Sequence, residues 1–324
     1  MKTNAIRINN YGGPEVLEYC EVELPELEEN EARIKHTAIG LNFIDTYHRS
    51  GLYPMDLPAG LGSEAAGIVE AIGNDVKSVK VGDRVVYTGR PPDSYSEKRN
   101  FDAAQLVVIP DKIKDEQAAA IFLKGLTAWY LLRKSYKVQS GDDVLLYAAA
   151  GGVGLIACQW AKHLGARVIG VVSNDEKAML AKSNGCDDII LSDENIPERV
   201  KELTDSIGVG VVYDSVGRDT FFSSLDSLKP HGFLVTFGNA SGPVDPFAPA
   251  ELAKRHSLYV TRPILADFIS ERENLVEASN ELFDLVSSGV IKISINQRYP
   301  LKDTRQAHID LESRKTTGST ILIP

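Results

Sequence analysis

The chain has 324 residues, with 35 Lys plus Arg against 45 Asp plus Glu and a formal net charge of −10. With 43% hydrophobic and 25% charged residues it has the balance of a folded chain with a sizeable core, and at about 150 residues per domain its length suggests two domains. The acid excess and the lack of any Lys/Arg-rich run exclude a nucleic-acid backbone as the main partner and point to a small molecule.

Met1 to Arg7 show no apolar run of signal-peptide length, and Cys20, Cys158 and Cys186 have no C-x-x-C spacing. The expectation is a reducing, cytoplasmic setting and no structural zinc. The first 110 residues alternate in short runs such as Glu31 to His36, with turn signals at Gly12-Gly13-Pro14, Gly73-Asn74 and Gly82-Asp83. This pattern predicts an antiparallel, partly barrel-like β domain. Val144 to Ala161 lacks charge and has the length of a membrane span, but Gly151, Gly152 and Gly154 interrupt it. A soluble strand, turn and helix suit it better.

From residue 143 apolar runs alternate with helix-period segments, the signature of βαβ units on a parallel sheet. Strands are predicted at Val144–Ala148, Val168–Val172, Ile189–Leu191, Val211–Asp214 and Phe233–Phe237. Helices fall between them: one carrying Ile156, Trp160 and Leu164 on one face and ending at Gly165, then Asp175–Asn184, Pro197–Thr204 and Phe221–Leu228. A long amphipathic helix over Arg272–Ser288 follows, then strands at Ile291–Ile295 and Ser319–Ile323. The fold class is therefore α/β, a doubly wound parallel sheet inserted into a discontinuous β-rich domain, with boundaries at 1–126 and 267–324 for the outer domain and 127–266 for the insert.

Gly152, Gly154 and Ala157 fit G-x-G-x-x-[GA] between a predicted strand and helix. There, backbone N–H groups and the positive helix end can face a pyrophosphate. An acid about 20 residues further on would select NAD through the ribose hydroxyl. None ends the second strand, where Ser173 and Asn174 stand with Lys177 one helical turn beyond. A charge-assisted bond from Lys177 to a 2′-phosphate is worth about 1.5–3 kcal/mol, enough to bias the choice toward NADP about tenfold or more. Asp175 and Glu176 oppose it or serve the helix end, and Lys177 also reads as a solvated helix face.

Gly62-Ser63-Glu64-Ala65-Ala66-Gly67, then Gly73 and Val76, then Gly82-Asp83-Arg84-Val85 resemble the medium-chain dehydrogenase/reductase superfamily. Gly40 to Tyr47, Phe122 to Ala128 and Ala150 to Gly154 resemble its zinc-free quinone oxidoreductase, or zeta-crystallin-like, branch. Tyr213 to Asp219, Phe237-Gly238-Asn239 and Tyr259 to Pro263 are similar to bacterial members that use NADPH. The likeness spans essentially the whole chain. It implies a Rossmann domain for 127–266 and a GroES-like catalytic domain for the rest. Zinc alcohol dehydrogenases carry Cys where Asn42 stands, His where Ser63 stands, and a four-Cys lobe that is missing here. Glu64 is kept without a metal to serve, and His36, Asp45 and His48 lack Cys partners for a site.

The resemblance implies NADPH-dependent reduction of a quinone, whose oxygens can take protons from water while the protein orients the nicotinamide. Family members are described as giving semiquinone; nothing in the sequence counts electrons. It places Asn42 and Tyr47 at the nicotinamide end, Thr127 and Tyr130 near phosphates or ribose, and Gly152, Val153 and Gly154 at the pyrophosphate. Ser173 and Lys177 fall at the 2′-phosphate and Ser192 at the adenosine. Phe237, Gly238, Asn239, Pro263, Leu265 and Arg314 make up the remaining nicotinamide and amide contacts. Related bacterial enzymes carry Tyr where Ser192 stands. Tyr47 and Tyr53 read as an acceptor face or as aromatic packing. Arg262 reads as a partner of Asp45, of an acceptor oxygen, or of a structural ion pair, and Lys124 stays undecided.

An alkenal or enone reductase is the nearest alternative, and a non-catalytic, crystallin-like or RNA-binding dinucleotide binder comes from a different class. No membrane partner is expected. Ser257 to Thr261 is an uncharged, β-prone run suited to pairing with its copy in a homodimer.

Overall fold

The computed structural model describes all residues, Met1–Pro324. In chain order it begins β1 (Lys2–Ile8), β2 (Glu18–Glu23), β3 (Glu31–Leu41), α1 (Phe43–Ser50), β4 (Ala59–Gly60), β5 (Glu64–Ile72), β6 (Arg84–Thr88), β7 (Lys98–Asp102), β8 (Val107–Val108) and α2 (Asp115–Trp129). It continues β9 (Asp143–Tyr147), α3 (Gly152–His163), β10 (Arg167–Val172), α4 (Asp175–Ser183), β11 (Asp188–Leu191), α5 (Ile196–Leu203), β12 (Val209–Asp214), α6 (Phe221–Asp226), β13 (Leu228–Thr236), α7 (Ala250–Lys254), β14 (Tyr259–Thr261) and α8 (Leu265–Phe268). It ends α9 (Arg272–Ser287), β15 (Ile295–Pro300), α10 (Thr304–Glu312) and β16 (Ser319–Ile323). Two units result: Met1–Lys124 with Ile269–Ser288 and Ile293–Pro324, and Gly125–Phe268 with Gly289–Lys292. No helix is long and apolar enough to cross a membrane.

The first unit carries a sheet of order β2-β1-β4 and a seven-stranded sheet of order β15-β16-β3-β5-β6-β8, with β7 also on β3. In β3 the buried residues Ala32, Ile34, His36 and Ala38 recur at period two, as a half-buried strand requires. Burial then becomes continuous from Ala38 to Leu41, where both faces of the strand are covered. Gly40, opposite Glu64 in the β3/β5 register, makes this possible. A Cβ there would lie 2.2 Å from Glu64 Oε1 and 2.4 Å from the Ala119 carbonyl on α2. Ile6, Ile8, Ile34, Ile39, Tyr87 and Tyr95 form the centre of this unit's core.

The second unit is one parallel sheet of order β11-β10-β9-β12-β13-β14. Its strands read as near-continuous apolar runs because both faces are buried, and every residue of β12 is buried. Leu145, Ile169, Ile190, Val212 and Leu234 centre the core. Strand order reverses between β9 and β12, the switch point at which such sheets bind ligands at their carboxyl ends.

The predicted elements differ from the structure in three places. The strand expected at Ile291–Ile295 instead starts at Ile295 and runs to Pro300. Lys292 spends its backbone groups on one side chain: its N–H donates to Gln159 Oε1 at 2.8 Å and its carbonyl accepts from Gln159 Nε2 at 3.2 Å. The helix expected to reach Leu228 stops at Asp226, and β13 starts at Leu228, five residues before the predicted Phe233. It passes through His231 at φ +62°, a kink that breaks the apolar pattern. Finally, α2 runs into a π-helical turn, Tyr130–Ser135, where periodicity gave no warning.

Gly40→Ala should force α2 and Glu64 away from β3. Overpacking of this kind costs about 1–3 kcal/mol, so we expect a lower Tm by calorimetry; an unchanged Tm would mean that the contact relaxes freely.

Candidate functional site

In the second unit the chain leaves β9 through Ala148, held at φ +53°, and enters α3 at Gly152. Gly151 caps the helix without a side-chain bond, so the first-turn N–H groups have no side chain folded over them. A Cβ on Gly154 would sit 2.2 Å from the Ala148 carbonyl. This glycine therefore allows close helix–strand packing, as the fingerprint requires, and Gly152 and Val153 stay partly exposed at the helix end. The turn fits a pyrophosphate on its own geometry.

Val172 and Leu191 are register partners at the ends of β10 and β11, and the Ser192 N–H donates to the Val172 carbonyl at 2.8 Å. Ser173 and Ser192 thus leave neighbouring strand ends side by side, both exposed. Asn174 caps α4 by accepting the Lys177 N–H at 2.9 Å, which puts Lys177 in the first turn of the helix that follows β10. At the end of β13 the Phe237 N–H donates to the Asp214 carbonyl at 2.8 Å. Gly238 follows, with room for no Cβ: one would lie 2.2 Å from the Ser215 carbonyl. Asn239 accepts the Gly242 N–H. Arg262 Nη1 donates to the Thr236 carbonyl at 3.1 Å, tying the segment that leads to Pro263 and Leu265 to the same strand end. Thr127 lies on α2, and Tyr130 opens the π turn and stacks on Phe268 at 5.0 Å and 4°. Arg314 belongs to the other unit, in the turn after α10.

In the first unit, Asn42 is the N-cap of α1 in extended conformation. Its Nδ2 donates to Glu64 Oε1 at 2.8 Å, and Lys124 Nζ donates to the same oxygen at 2.9 Å, while Glu64 Oε2 accepts the Leu123 N–H at 2.6 Å. Tyr47 on α1 packs edge-on against Tyr53 at 5.2 Å and against Phe43 at 5.6 Å. The expected Tyr47–Tyr53 neighbourhood therefore exists as an aromatic pair. Lys124, undecided in the sequence, is a buried ion-pair partner of Glu64.

A second polar chain was invisible in the sequence. Asp45 accepts from Ser63 Oγ at 2.6 Å, from the Tyr95 hydroxyl at 2.8 Å and from the Asn42 N–H at 2.9 Å. Tyr95 also meets His308 Nε2 at 3.2 Å, and His308 Nδ1 lies 3.0 Å from Arg49 Nη1. Arginine only donates, so Nδ1 accepts, and Nε2 carries the proton that Tyr95 receives. Arg49 ends the chain in a two-point pair with Glu312 at 2.7 and 2.9 Å. These donors take up the Asp45 carboxylate inside the unit. His36 is a satisfied core histidine, bonded to the Ser96 carbonyl at 2.7 Å and the Tyr87 hydroxyl at 2.9 Å.

Burial pushes Asp45 up to about 6, with its hydrogen bonds pulling the other way and the Glu64 charge adding to the rise. Burial lowers His36 and His48 to about 4 and His308 to about 3. In an unfolded chain the histidines titrate near ~6.5 and an aspartate near ~3.9. Below pH ~6.5 the unfolded state gains three histidine protons that the fold refuses until about pH 4, so that contribution to stability is lost as pH falls. Asp45 works in reverse, because the folded state binds its proton first between about pH 6 and 4. Unfolding should then take up about two net protons near pH 5, a fall of about 3 kcal/mol per pH unit. We expect Tm to drop steeply from pH 6.5 to 5; a flat Tm over that range would contradict the burial of these histidines.

Residues 28–113 match the alcohol dehydrogenase GroES-like domain and residues 152–281 match the zinc-binding dehydrogenase family. The chain is 54% identical over 323 residues to a quinone oxidoreductase of Salmonella typhimurium, covering 98% of this chain and 99% of that one. The crystal structure of Escherichia coli quinone oxidoreductase complexed with NADPH superposes with a TM-score of 0.97 at 52% identity, covering 99% of this chain and 100% of that one. A 2-haloacrylate reductase from Burkholderia is 42% identical over 325 residues, 98% of each chain.

Proposed function

The chain belongs to the quinone oxidoreductase family of the medium-chain dehydrogenases/reductases, and from that premise we propose that it reduces quinones with NADPH. The observation that carries the cofactor reading is that Ser173 and Ser192 follow adjoining strand ends and Lys177 stands in the first turn of α4 after Ser173, so that hydroxyls and a cation, and no acid, follow the second strand where an NAD site would place one. Identity to quinone oxidoreductases at both the sequence and the structure level supports the acceptor.

In this reading Gly152, Val153 and Gly154 hold the pyrophosphate through backbone N–H groups, Thr127 and Tyr130 border the phosphates and ribose, and Ser173 and Lys177 take the 2′-phosphate, with Ser192 beside the adenosine. Asn42, Tyr47, Phe237, Gly238, Asn239, Pro263, Leu265 and Arg314 are assigned to the nicotinamide end. The chemistry the cofactor supplies when bound is hydride donation. The protein's part is to orient and to exclude: Tyr47 and Tyr53 offer aromatic area to a flat acceptor, and Arg262 offers a charge to its oxygen. No side chain is assigned as an essential acid, since the oxygens of a reduced quinone take protons from water.

The likeness to a 2-haloacrylate reductase favours a second reading, reduction of an activated carbon–carbon double bond. Oxidation at 340 nm of NADPH and NADH, each offered with 1,4-benzoquinone, 9,10-phenanthrenequinone and an enone, separates the two. We expect quinone-dependent turnover favouring NADPH; turnover of the enone alone would move the assignment. Lys177→Ala should raise KM for NADPH about tenfold or more while leaving NADH nearly unchanged, as loss of a charge-assisted bond predicts. Equal effects on both cofactors would make Lys177 a plain surface charge.

A homodimer in a reducing cytoplasm belongs to the same proposal. β14 pairs with β13 at the end of the parallel sheet, and Tyr259 on it is 53% exposed. Val260→Pro should halve the mass measured by light scattering, because proline removes a ladder donor; a dimer mass that persists would put the interface elsewhere.

A further inference from the structure

Glu64 has no exposed surface, and each of its oxygens is met only by groups that can donate: Asn42 Nδ2 and Lys124 Nζ on Oε1, the Leu123 N–H on Oε2. With an amide N–H, an ammonium and a backbone N–H as its partners, the carboxylate acts here as an acceptor only. Turning the Asn42 amide over would set its carbonyl oxygen against Oε1 at 2.8 Å, two acceptors in contact at a carboxylate with no exposed surface. The backbone of Asn42 is held as well, because its N–H donates to Asp45 Oδ2 at 2.9 Å. One buried carboxylate thus clamps the main chain of this residue and a second clamps its side chain.

We propose that Glu64 and Lys124 are positioning residues that lock the Asn42 carboxamide in one orientation, nitrogen toward Glu64 and oxygen away, and so set the hydrogen-bonding sense Asn42 presents to the cofactor. This rests on the reading that Asn42 meets the nicotinamide end. Lys124 acts at one remove. Without the ammonium, Glu64 Oε1 loses the donor that, beside the Asn42 amide, fixes where the carboxylate points. The side chain can then turn from Asn42, and the hold on the amide nitrogen is lost while only the helix-capping contact of the Asn42 side chain to the first turn of α1 remains.

The test joins a direct readout to kinetics at pH 7.5, on the full-length chain. With side-chain ¹⁵N-asparagine labelling, the Asn42 amide pair, identified by its loss in Asn42→Asp, should show one proton shifted downfield by its carboxylate acceptor. In Lys124→Met that shift should collapse and KM for NADPH should rise about tenfold, the loss of one hydrogen bond's worth of binding, with KM for the quinone unchanged. Lys124→Arg, which keeps the cation, should restore both. A folded Lys124→Met with the amide shift and KM of the wild type would overturn the proposal. If the amide moves but Asn42→Ala leaves KM for NADPH unaltered, the positioning stands and the placement of Asn42 at the cofactor fails. If Asn42→Ala raises KM while the amide stays fixed in Lys124→Met, the placement stands and the positioning fails. Should Lys124→Met not fold, Glu64→Gln, which keeps the shape and removes the charge, is read by the same amide: a shift unchanged from wild type overturns the proposal.

Discussion

A carboxylate without exposed surface at the first residue of β5 must be matched by a positive charge and filled lone pairs, or folding pays heavily for its dehydration. Glu64 meets that demand by drawing three elements to one point: the N-cap of α1, the strand β5 itself and the stretch Leu123–Lys124 of α2. Gly40 on the facing strand leaves the room. Asp45 on α1, near enough for the Glu64 charge to raise it, is handled differently. It has neutral donors in Ser63, Tyr95 and a backbone N–H rather than a cation at hydrogen-bond distance, and it is pushed up to about 6. Two buried carboxylates solve one problem in two ways, the first with an ammonium among its donors and the second with neutral donors alone.

The second unit builds its binding groups by a simpler rule. Parallel strands end together, so whatever residue follows each strand is delivered to the same rim of the sheet. Ala148 to Gly154 after β9, Ser173 after β10, Ser192 after β11 and Phe237 to Asn239 after β13 all follow strand ends. No long-range side-chain contact is needed to assemble them. The hydrogen bonds that place them are mainly backbone ones, such as Ser192 N–H to Val172 and Phe237 N–H to Asp214, so substitution at the exposed positions can change ligand preference without disturbing the sheet.

That difference explains what was legible in the sequence. The βαβ order, the glycine turn and the strand ends follow from local periodicity and punctuation, and the strands around β9 to β12 agree within two residues. The Glu64–Lys124 pair joins residues 60 apart, and the Tyr95–His308 contact joins residues 213 apart. Neither spacing has a periodic trace, because a sheet register and a returning C-terminal helix create the contact. A signal did exist: Glu64 sits between Ser63 and Ala65 in a run otherwise free of charge, and a lone acid inside an apolar strand calls for a partner. The strand misplaced at Ile291 has another cause, since a side chain, Gln159, intercepts the backbone hydrogen bonds that a ladder would use.

Cofactor preference shows how position on a helix outweighs a count of charges. Asp175 and Glu176 precede Lys177, and by simple addition the first turn of α4 is acidic and should repel a 2′-phosphate. Successive helical residues point about 100° apart, however, so the three side chains fan out instead of sharing a face. Both acids are exposed, where water and salt screen them over about 10 Å, whereas Lys177 is half-buried and less screened. The acids also sit where the helix end is positive, which offsets part of their charge. Because Asn174 caps the helix through the Lys177 N–H, Lys177 stands at the third helical position, close to the strand end that carries Ser173. The negative sum of the turn therefore does not by itself decide how it meets an anion near Ser173.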